Sequence, residues 1–421
     1  MSTDTKRAIG NKVFADLFSL SQRRYQRRRP SAWTLHRMEE LVDRLGHPEK
    51  SFKTIHVGGT SGKGSTATMI ASILRASSRR VGLEVFPPVR SMRESVQING
   101  RVVSETCFRR AWTHLQPIVE AMHKESKEGA PTFFEALIAL CFLVWKEAKI
   151  DVAVVEVGMG GARDATNVIR PEVVVLTNVG LDHTQFLGST VEAIAREKVG
   201  ILKEGTPVIS AATQESVQAI IKKKAKEEKT TAFFYGKDFH DAPFDLSLLG
   251  QHQRINAACA VAAVKIFDSS ITQENIQRGL STVVLPGRFE IVRSRPLVIF
   301  DGAHNPDKMT ALVQTLKAEF PKKRIIGIFG VKEDKDVEAM FGLFGEELKT
   351  VFATTFQIPP IGVGRALSAS ALTKRLHRMG MKSIITEPNP RRALGYASRL
   401  ADKNDLILVT GSFYLLLALH S

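Results

Sequence analysis

The sequence predicts an α/β protein with two domains, each built on a largely parallel sheet. Short β-branched runs alternate with amphipathic helical patterns through most of the 421 residues. Near-continuous apolar runs such as DVAVVEVG (151–158) and EVVVLTNVG (172–180) are typical of strands buried on both faces. The alternation restarts after LPGRFEIVRSRP (285–296). Because this length exceeds one ordinary core, we predict a domain over residues 1–290 and a second over residues 291–421.

The elements of the first domain follow in chain order from the switch between two periodicities. Strands read as short apolar runs, whereas helices read as longer segments with apolar residues three and four positions apart. The predicted strands are TIHVGG (54–59), RRVGLEVF (79–86), DVAVVEVG, EVVVLTNVG and PVISA (207–211), and the predicted helices are KGSTATMIASILRA (63–76), TFFEALIALCFLVWKEA (132–148), TVEAIAREKVGILK (190–203), ESVQAIIKKKAKEEK (215–229) and HQRINAACAVAAVKIF (252–267).

The second domain repeats the same alternation with its own apolar runs. Ligands of such sheets bind beyond the carboxyl ends of the strands, so we expect the functional residues there. The predicted strands are PLVIFDG (296–302), RIIGIFG (324–330), TVFATTF (350–356), KSIITEP (382–388) and DLILVTG (405–411), and the predicted helices include DKMTALVQTLKAEF (307–320) and SASALTKRLHRM (368–379).

Composition limits the partners and the compartment. The net charge of +16 favours anionic partners, and part of it lies in RRYQRRRP (23–30). That run has few aromatic neighbours for base stacking, so we interpret it as a solvated face rather than a nucleic-acid site. Three cysteines without CxxC spacing indicate reduced thiols. The longest apolar stretch, ALIALCFLVW (136–145), is too short to span a bilayer. We therefore predict a soluble, cytoplasmic protein without a membrane or nucleic-acid partner.

A glycine-rich segment between the first strand and its helix is typical of a phosphate-binding loop. In GGTSGKGST (58–66) the glycines allow backbone N–H groups to surround phosphates, the helix N-terminus favours negative charge, and a lysine and hydroxyl groups follow. The strict Walker pattern is not met, because Val57 stands at its first glycine and Gly64 follows the lysine. The alternative is a glycine-rich turn that binds nothing. The predicted nucleotide contacts in this loop are Gly59, Thr60, Ser61, Gly62, Lys63, Gly64, Ser65 and Thr66.

The spacing GT-x-GKG-S resembles the ATP loop of the Mur ligase superfamily and, within it, of the folylpolyglutamate synthase/dihydrofolate synthase family. Further segments resemble that family's motifs in the same order over about residues 34–310, and the resemblance is weaker beyond. These segments are EVGMGGARDATNVI (156–169), TNVGLDHTQFLGSTVEAIAREKVGILK (177–203), GQHQRINAACA (250–260), PGRFE (286–290) and FDGAHNP (300–306).

The resemblance implies a fold and a reaction. The fold would be a P-loop Mur-ligase-type central domain followed by a C-terminal Rossmann-like α/β domain. The enzyme would use ATP and Mg²⁺ to phosphorylate a folate- or pteroate-type carboxylate, and the amine of L-glutamate would then displace the phosphate. The family is usually monomeric, so we expect a monomer.

The resemblance also implies residue roles. Lys63, His183 and Lys198 are expected to be catalytic, with Lys198 carbamylated. Ser65, Glu156 and His183 are the expected Mg²⁺ ligands. Outside the loop, the positions expected to contact ATP are Asn256, Arg288, Asp301 and His304.

Each role has a structural alternative. Glu156 could be a paired buried acid, His183 a hydrogen-bonded histidine and Lys198 an exposed helix lysine. His304 and its neighbour Asn305 could instead cap the helix that begins at Pro306.

The sequence departs from the family pattern at two places. The family has Ser-Pro-His-Leu after the second strand, with the serine as a metal ligand, whereas this chain has FPPV at residues 86–89. Phe86 cannot bind Mg²⁺, so we expect Ser65 and water to complete the metal shell. In the glycine-rich turn Ala162 stands where the family has its arginine, and Arg163 follows one position later.

Three other functions remain open from the sequence. The chain could be a Mur-type ligase for a peptidoglycan precursor or another carboxylate. It could be a P-loop ATPase or a nucleic-acid-binding protein that uses its arginine run. It could also be a non-catalytic homologue, although Lys63, Glu156 and His183 are all present.

Overall fold

The computed structural model describes Val13, Asp16, Leu17 and residues 34–126, 129–241, 243–358 and 364–420. The basic run at residues 23–30 lies outside them. The described residues form two sheets with helices on both faces, which confirms the predicted α/β class with largely parallel sheets.

The first sheet has eight strands in the order β4-β3-β2-β5-β1-β6-β7-β8. Six of them are parallel, and the hairpin of β3 and β4 adds an antiparallel edge. Because β1 lies between β5 and β6, the loops that leave β1, β5 and β6 meet at one edge of the sheet. The strands are β1 (Lys53–Gly58), β2 (Val81–Glu84), β3 (Gln97–Ile98), β4 (Arg101–Val102), β5 (Val152–Glu156), β6 (Val173–Leu176), β7 (Val208–Ser210) and β8 (Ala232–Phe234).

Helices cover both faces of this sheet because its central strands are apolar on both sides. One core joins α1, α3 and α4 to β5, and the opposite core joins α2, α8 and α9 to β1, β5 and β6. The helices, in chain order, are α1 (His36–Arg44), α2 (Lys63–Ala76), α3 (Glu105–Glu125), α4 (Phe133–Glu147), α5 (Thr184–Leu187), α6 (Val191–Lys198), α7 (Glu215–Glu227), α8 (Gln251–Phe267) and α9 (Gln273–Ser281).

The second sheet has six strands in the order β13-β12-β11-β14-β10-β9, and only β9 is antiparallel. The boundary between residues 290 and 291 stays a prediction; β9 begins at Glu290. The elements are β9 (Glu290–Ser294), β10 (Leu297–Phe300), α10 (Pro306–Glu319), β11 (Arg324–Phe329), α11 (Val337–Phe341), β12 (Leu348–Ala353), α12 (Ala369–Arg378), β13 (Ile384–Thr386), α13 (Pro390–Leu400), β14 (Asp405–Thr410) and α14 (Phe413–His420).

The apolar segment predicted at residues 136–145 lies inside α4, where it packs in the core. Within the described ranges, no helix combines the length and apolar character that crossing a membrane requires. The described cysteines are all free; Cys141 and Cys259 are buried in apolar surroundings, and Cys107 is half-buried.

Candidate active site

A cavity of about 550 Å³ lies between the two sheets at the carboxyl ends of their central strands. The glycine-rich loop and the ends of β5 and β6 line it on one side, and the residues after β10, β11 and β14 line it on the other. The cavity brings together most of the predicted site residues. These are Thr60, Ser61, Gly62, Lys63, Gly64, Ser65, Glu156, His183, Asn256, Arg288, Asp301 and His304.

The glycine-rich loop has a backbone that only glycine accommodates without strain at two positions. Gly62 caps α2 with φ of 83°, and a Cβ there would lie 2.3 Å from Asn256 Oδ1. Gly59 has φ of 138°, and a Cβ would lie 2.0 Å from Thr177 Oγ1. Close approach of the loop to its neighbours therefore explains both glycines.

Two residues at the end of β6 hold the loop, and the sequence analysis missed both of them. Asn178 Oδ1 accepts a hydrogen bond from the Ser61 N–H at 2.7 Å, and Thr177 Oγ1 donates to the Ser61 carbonyl at 2.6 Å. A polar pair directly after a buried strand was the available signal, because such a pair lies at the ligand-binding edge of the sheet.

Lys63 and Glu156 face each other at the N-terminus of α2. Lys63 Nζ lies 4.0 Å from Glu156 Oε1 and 3.5 Å from the Thr60 carbonyl oxygen. Glu156 is 5% exposed. Burial raises the pKa of Glu156, and the charges of Lys63 and Arg288 oppose this rise. The buried Glu156 carboxylate can therefore accept a cation, because the distance from its oxygen to the Lys63 ammonium is too long for a hydrogen bond.

A second glutamate lies directly behind Glu156. The Glu156 N–H donates to Glu84 Oε2 at 3.2 Å, and the Phe86 N–H donates to Glu156 Oε2 at 3.3 Å. The two side chains thus link the ends of β2 and β5, because each carboxyl group accepts a backbone hydrogen bond from the other segment. Burial and the nearby carboxylates of Glu156 and Asp164 raise the pKa of Glu84 well above its ordinary value. Glu84 Oε1 is buried and has no hydrogen-bond partner among the described residues.

The segment FPPV follows β2 and packs against the second domain. Phe86 and Pro87 line the cavity, and the Phe86 ring packs edge-on against Phe134 with 5.6 Å between ring centroids. Val89 packs into an apolar core of the second domain. The place where the family carries a metal-binding serine is therefore an aromatic wall beside Glu156.

His183 lies on the loop after β6 with about half of its side chain exposed to the cavity. Its backbone N–H donates to the carboxylate of Asp182, and its ring nitrogen Nε2 lies 4.0 Å from that carboxylate. Burial and three nearby lysines lower the pKa of His183 despite Asp182. The imidazole is therefore neutral near pH 7, which is the form that binds metal ions.

Arg288, on the segment that leads into β9, and Asp301, directly after β10, line the cavity on the side of the second sheet. The Arg288 guanidinium lies 3.8 Å from the ring centroid of Phe413, and burial lowers its pKa although Asp301 and Glu156 raise it. The Asp301 carboxylate accepts hydrogen bonds from the Phe289 and Ala303 N–H groups at 2.8 and 2.7 Å. Asp301 therefore fixes its own turn as well as lining the cavity.

In the turn after β10, one residue caps the following helix and its neighbour lines the cavity. Asn305 caps α10, because its Oδ1 accepts from the Lys308 N–H at 2.9 Å. His304 is not a cap: its Nδ1 lies 2.8 Å from the Gly302 carbonyl, and its ring lines the cavity. The capping alternative thus holds for Asn305, and His304 faces the site.

Three predicted residues lie outside the cavity lining. Lys198 is 4% exposed and donates to the Gly59 carbonyl at 2.8 Å, so the alternative of an exposed helix lysine is wrong. Gly59 and Thr66 lie beneath the loop surface; Thr66 is fully buried, and its hydroxyl has no partner among the described residues. Arg163 also lies elsewhere, with its guanidinium 2.9 Å from Glu197 Oε2.

The predicted metal ligands come from the start of α2, the end of β5 and the loop after β6. Among the described residues no three or more His, Cys, Asp or Glu side chains are grouped closely enough to hold a metal ion by themselves. Ser65, Glu156 and His183 nevertheless line one cavity, and the Glu156 carboxylate is desolvated with only a distant cation. This set fits a divalent cation that keeps water and phosphate ligands, as Mg²⁺ usually does.

Comparison with known proteins identifies the class. Residues 57–242 match the Mur ligase middle domain, and residues 287–413 match the glutamate ligase domain of Mur ligases. The fold is therefore that of a Mur ligase.

Closer relatives give the family. The chain is 33% identical to the dihydrofolate synthase/folylpolyglutamate synthase of Bacillus subtilis over 411 residues, which covers 90% of this chain and 92% of the relative. A Mycobacterium tuberculosis folylpolyglutamate synthase solved in complex with ADP superposes with a TM-score of 0.88 at 30% identity, covering 97% and 98% of the two chains. Escherichia coli FolC in complex with DHPP and ADP superposes with a TM-score of 0.84 at 27% identity, covering 96% of both chains. The chain belongs to the folylpolyglutamate synthase/dihydrofolate synthase family.

Proposed function

We propose that the chain joins L-glutamate to the carboxylate of a folate- or pteroate-type substrate in an ATP-dependent reaction that passes through an acyl phosphate. A carboxylate is a poor acyl acceptor because its leaving group would be an oxide. Transfer of the γ-phosphoryl group of ATP converts that oxide into phosphate, which the amine of glutamate can displace. Relatives with these activities, and their complexes with ADP, support this proposal.

The loop at residues 59–66 is proposed to hold the ATP phosphates. Its backbone amides and the N-terminus of α2 favour negative charge, and the Lys63 ammonium reaches into the cavity beside them. Arg288 approaches from the segment that leads into β9 and adds a planar donor group suited to phosphate. Asn256, Asp301 and His304 line the same space and are proposed to contact the rest of the nucleotide.

The proposed metal is Mg²⁺, with Ser65, Glu156 and His183 as its protein ligands. Mg²⁺ at this position would neutralise charge on the transferring phosphoryl group. The FPPV segment offers no further ligand from Phe86, so water is proposed to fill the remaining positions. A Yersinia pestis relative solved with AMPPNP and a manganese ion supports a divalent cation in this family.

Lys198 is proposed to be carbamylated. Burial lowers its pKa to about 7, so its amine is largely neutral above that pH and can react with carbon dioxide. The product would place a carboxylate group behind Gly59, close to the loop that Lys198 already contacts.

The single observation that carries the proposal is the shared cavity, which joins a phosphate loop, a desolvated carboxylate and several cations from two domains. A ligase on another carboxylate or a simple ATPase is not favoured, because the relatives along nearly the whole chain are glutamate ligases of folates. We also propose that the enzyme works as a cytoplasmic monomer.

The test is phosphate release from ATP and Mg²⁺ with and without L-glutamate, against dihydropteroate, tetrahydrofolate or no acceptor. Release that requires both partners, with a product heavier by one glutamyl unit in mass spectrometry, is the expected result. Release that is indifferent to both partners would instead identify an ATPase.

The Lys63→Ala variant should lose ATP-dependent turnover by about 100-fold or more, because it removes the cation nearest the phosphates. Lys237→Ala is the matched control, because Lys237 is exposed and does not line the cavity. Near-normal turnover in Lys63→Ala would rule out its phosphate contact.

A further inference from the structure

The second-domain wall of the cavity carries three lysines, and one of them differs from the others. Lys332 and Lys335 each lie near the carboxylate of Asp334, at 3.5 and 3.4 Å. Lys308 has no carboxylate within hydrogen-bonding distance in the described part of the chain, and its nearest acidic group is Asp182 Oδ2 at 4.0 Å. Lys308 is therefore a cation that faces the cavity with little compensation.

Neighbouring groups hold the Lys308 side chain in place. Lys308 is the third residue of α10, and its Nζ lies 3.1 Å from His304 Nε2. His304 Nδ1 faces the Gly302 carbonyl, which can only accept, so Nδ1 carries the proton and Nε2 accepts from Lys308. This contact uses one of three ammonium N–H groups and leaves two for other partners.

The groups around Lys308 carry more positive than negative charge. The pKa of Lys308 is lowered to about 7, chiefly by burial; Asp182 opposes this fall, and the charges of Lys63, Arg288 and Lys335 contribute to it. His183, on the loop that carries Asp182, and Asp307, next to Lys308 on α10, also line the cavity. Cations thus outnumber acids here, and about a quarter of the Lys308 side chain remains exposed to the cavity. An anionic ligand group would restore the balance.

We propose that Lys308 binds a carboxylate of the incoming L-glutamate and thereby helps the enzyme to select an anionic amino acid. The inference rests on the proposed function, in which ATP phosphates occupy the loop on the first-domain side near Lys63. Glutamate brings two carboxylates that need cationic partners. The opposite wall supplies Lys308, with two free donors and no competing carboxylate in contact.

The test compares Michaelis constants for three substrates in Lys308→Met, Lys308→Arg and a control. Lys317→Met is the control, because Lys317 lies on the same helix but is about half exposed and pairs with Glu347. In Lys308→Met the KM for L-glutamate should rise about tenfold or more, while the KM values for ATP and the folate-type acceptor stay within about twofold. Lys317→Met should leave all three unchanged.

A pH series adds a readout that a merely structural residue would not move. The wild-type KM for L-glutamate should rise as pH increases from 6.5 to 8.5 relative to Lys308→Arg, because a guanidinium stays charged over this range while the lysine loses its proton. Both proteins share the titration of the substrate amine, so the comparison isolates residue 308.

Assays with L-glutamine and L-norvaline show which carboxylate is bound. A loss confined to L-glutamate assigns the side-chain carboxylate, and an equal loss for all three assigns the α-carboxylate; either outcome supports the proposal. An unchanged KM for L-glutamate, or a rise confined to ATP, would overturn it. Absence of glutamate-dependent turnover in the wild type would instead refute the proposed function. Circular dichroism establishes that the variants fold, and calorimetry of L-glutamate binding with AMPPCP present gives a measure independent of turnover.

Discussion

Lys198 is a lysine whose surroundings oppose its charge. It is 4% exposed, donates to the Gly59 carbonyl, and lies near a second ammonium, that of Lys63. Its pKa falls from 10.5 to about 7, chiefly because burial removes water from the ammonium group. Below pH 7 both folded and unfolded chains are protonated at this residue, and the full cost of burial applies. Between pH 7 and 10.5 only the unfolded chain holds the proton, so this residue makes stability rise with pH.

The same shift predicts when carbamylation occurs. With ¹³C-bicarbonate, a carbamate signal should appear in the NMR spectrum at pH 8 and decline as pH falls below 7, because only the neutral amine reacts. Lys198→Met should lack the signal, and Lys203→Met is the control, since the pKa of Lys203 is also lowered by burial but that lysine lies away from the cavity. A signal that survives in Lys198→Met would assign the carbamate to another lysine.

Glu156 gives a prediction about metal dependence. Glu156→Gln keeps the shape and the bond from the Phe86 N–H but removes the negative charge. The Mg²⁺ concentration for half-maximal activity should rise about tenfold or more, because a charged ligand is replaced by a neutral one. Glu172→Gln, at an exposed position before β6, should behave as wild type. An unchanged magnesium titration in Glu156→Gln would remove this residue from the metal site.

At the scale of single residues, the sequence and the resemblance identified the glycine-rich loop and several charged positions, but missed Thr177, Asn178 and the three lysines of the second-domain wall. The loop pattern itself indicated Lys63, whereas the roles expected of Glu156, His183 and Arg288 came from the resemblance to the family. The position of Asn178 directly after a buried strand placed it at the ligand-binding edge of the sheet, but its bond to the Ser61 N–H depends on tertiary contacts.

Two glycines with similar positive φ, Gly62 at the cap of α2 and Gly205 in the turn before β7, separate two kinds of strain. Gly62→Ala combines a positive φ with a contact against Asn256, whereas Gly205→Ala has a similar φ of 74° with nothing within 4 Å. We expect Gly205→Ala to cost about 1 kcal/mol of unfolding free energy, and Gly62→Ala to cost more and to abolish nucleotide binding.

Denaturant unfolding and calorimetry with AMPPCP check this pair of variants. Equal stability losses in the two proteins would show that the Asn256 contact is unimportant. Retained AMPPCP affinity in Gly62→Ala would show that the loop tolerates a side chain at its helix cap.

Among the elements, the strands that are buried on both faces were predicted best. The central parallel strands and α4 match the sequence prediction because burial on all sides leaves a continuous apolar run, whereas the helices α3 and α9 and the edge strand β8 were not predicted. The two-residue strands β3 and β4 are too short to show a period, and β9 is mostly exposed. Its sequence therefore gives no burial pattern, and its antiparallel pairing with β10 comes from the tertiary fold.

At the scale of the molecule, the site exists only where the two domains meet. Lys63 approaches from the first domain and Arg288 from the segment that leads into β9, and both line the same cavity. The sequence predicted two domains and the residues on each side. It could not give the distances across the cleft, because no local pattern encodes the orientation of one sheet against the other.

This arrangement predicts that nucleotide stabilises the whole chain. At a concentration about 100 times its dissociation constant, AMPPCP with Mg²⁺ should add about 2.7 kcal/mol to the unfolding free energy. Both Lys63→Ala and Arg288→Met should reduce this gain, although they alter opposite walls, and Arg391→Met at an exposed position should not. Differential scanning calorimetry measures the shift. A full gain in Arg288→Met would mean that the nucleotide contacts only the first domain.

Glu84 and Glu156, at the ends of β2 and β5, limit how far this enzyme can be stabilised by substitution without loss of activity. Glu84 leaves a buried oxygen without a partner in the described structure, a feature that reduces stability. A search for thermostable variants would therefore select apolar residues at position 84. The same substitutions would remove the acceptor for the Glu156 N–H and loosen the Glu156 carboxylate, which lines the cavity. Heat resistance and turnover are expected to conflict at this residue, so libraries screened for stability alone would drift away from activity there.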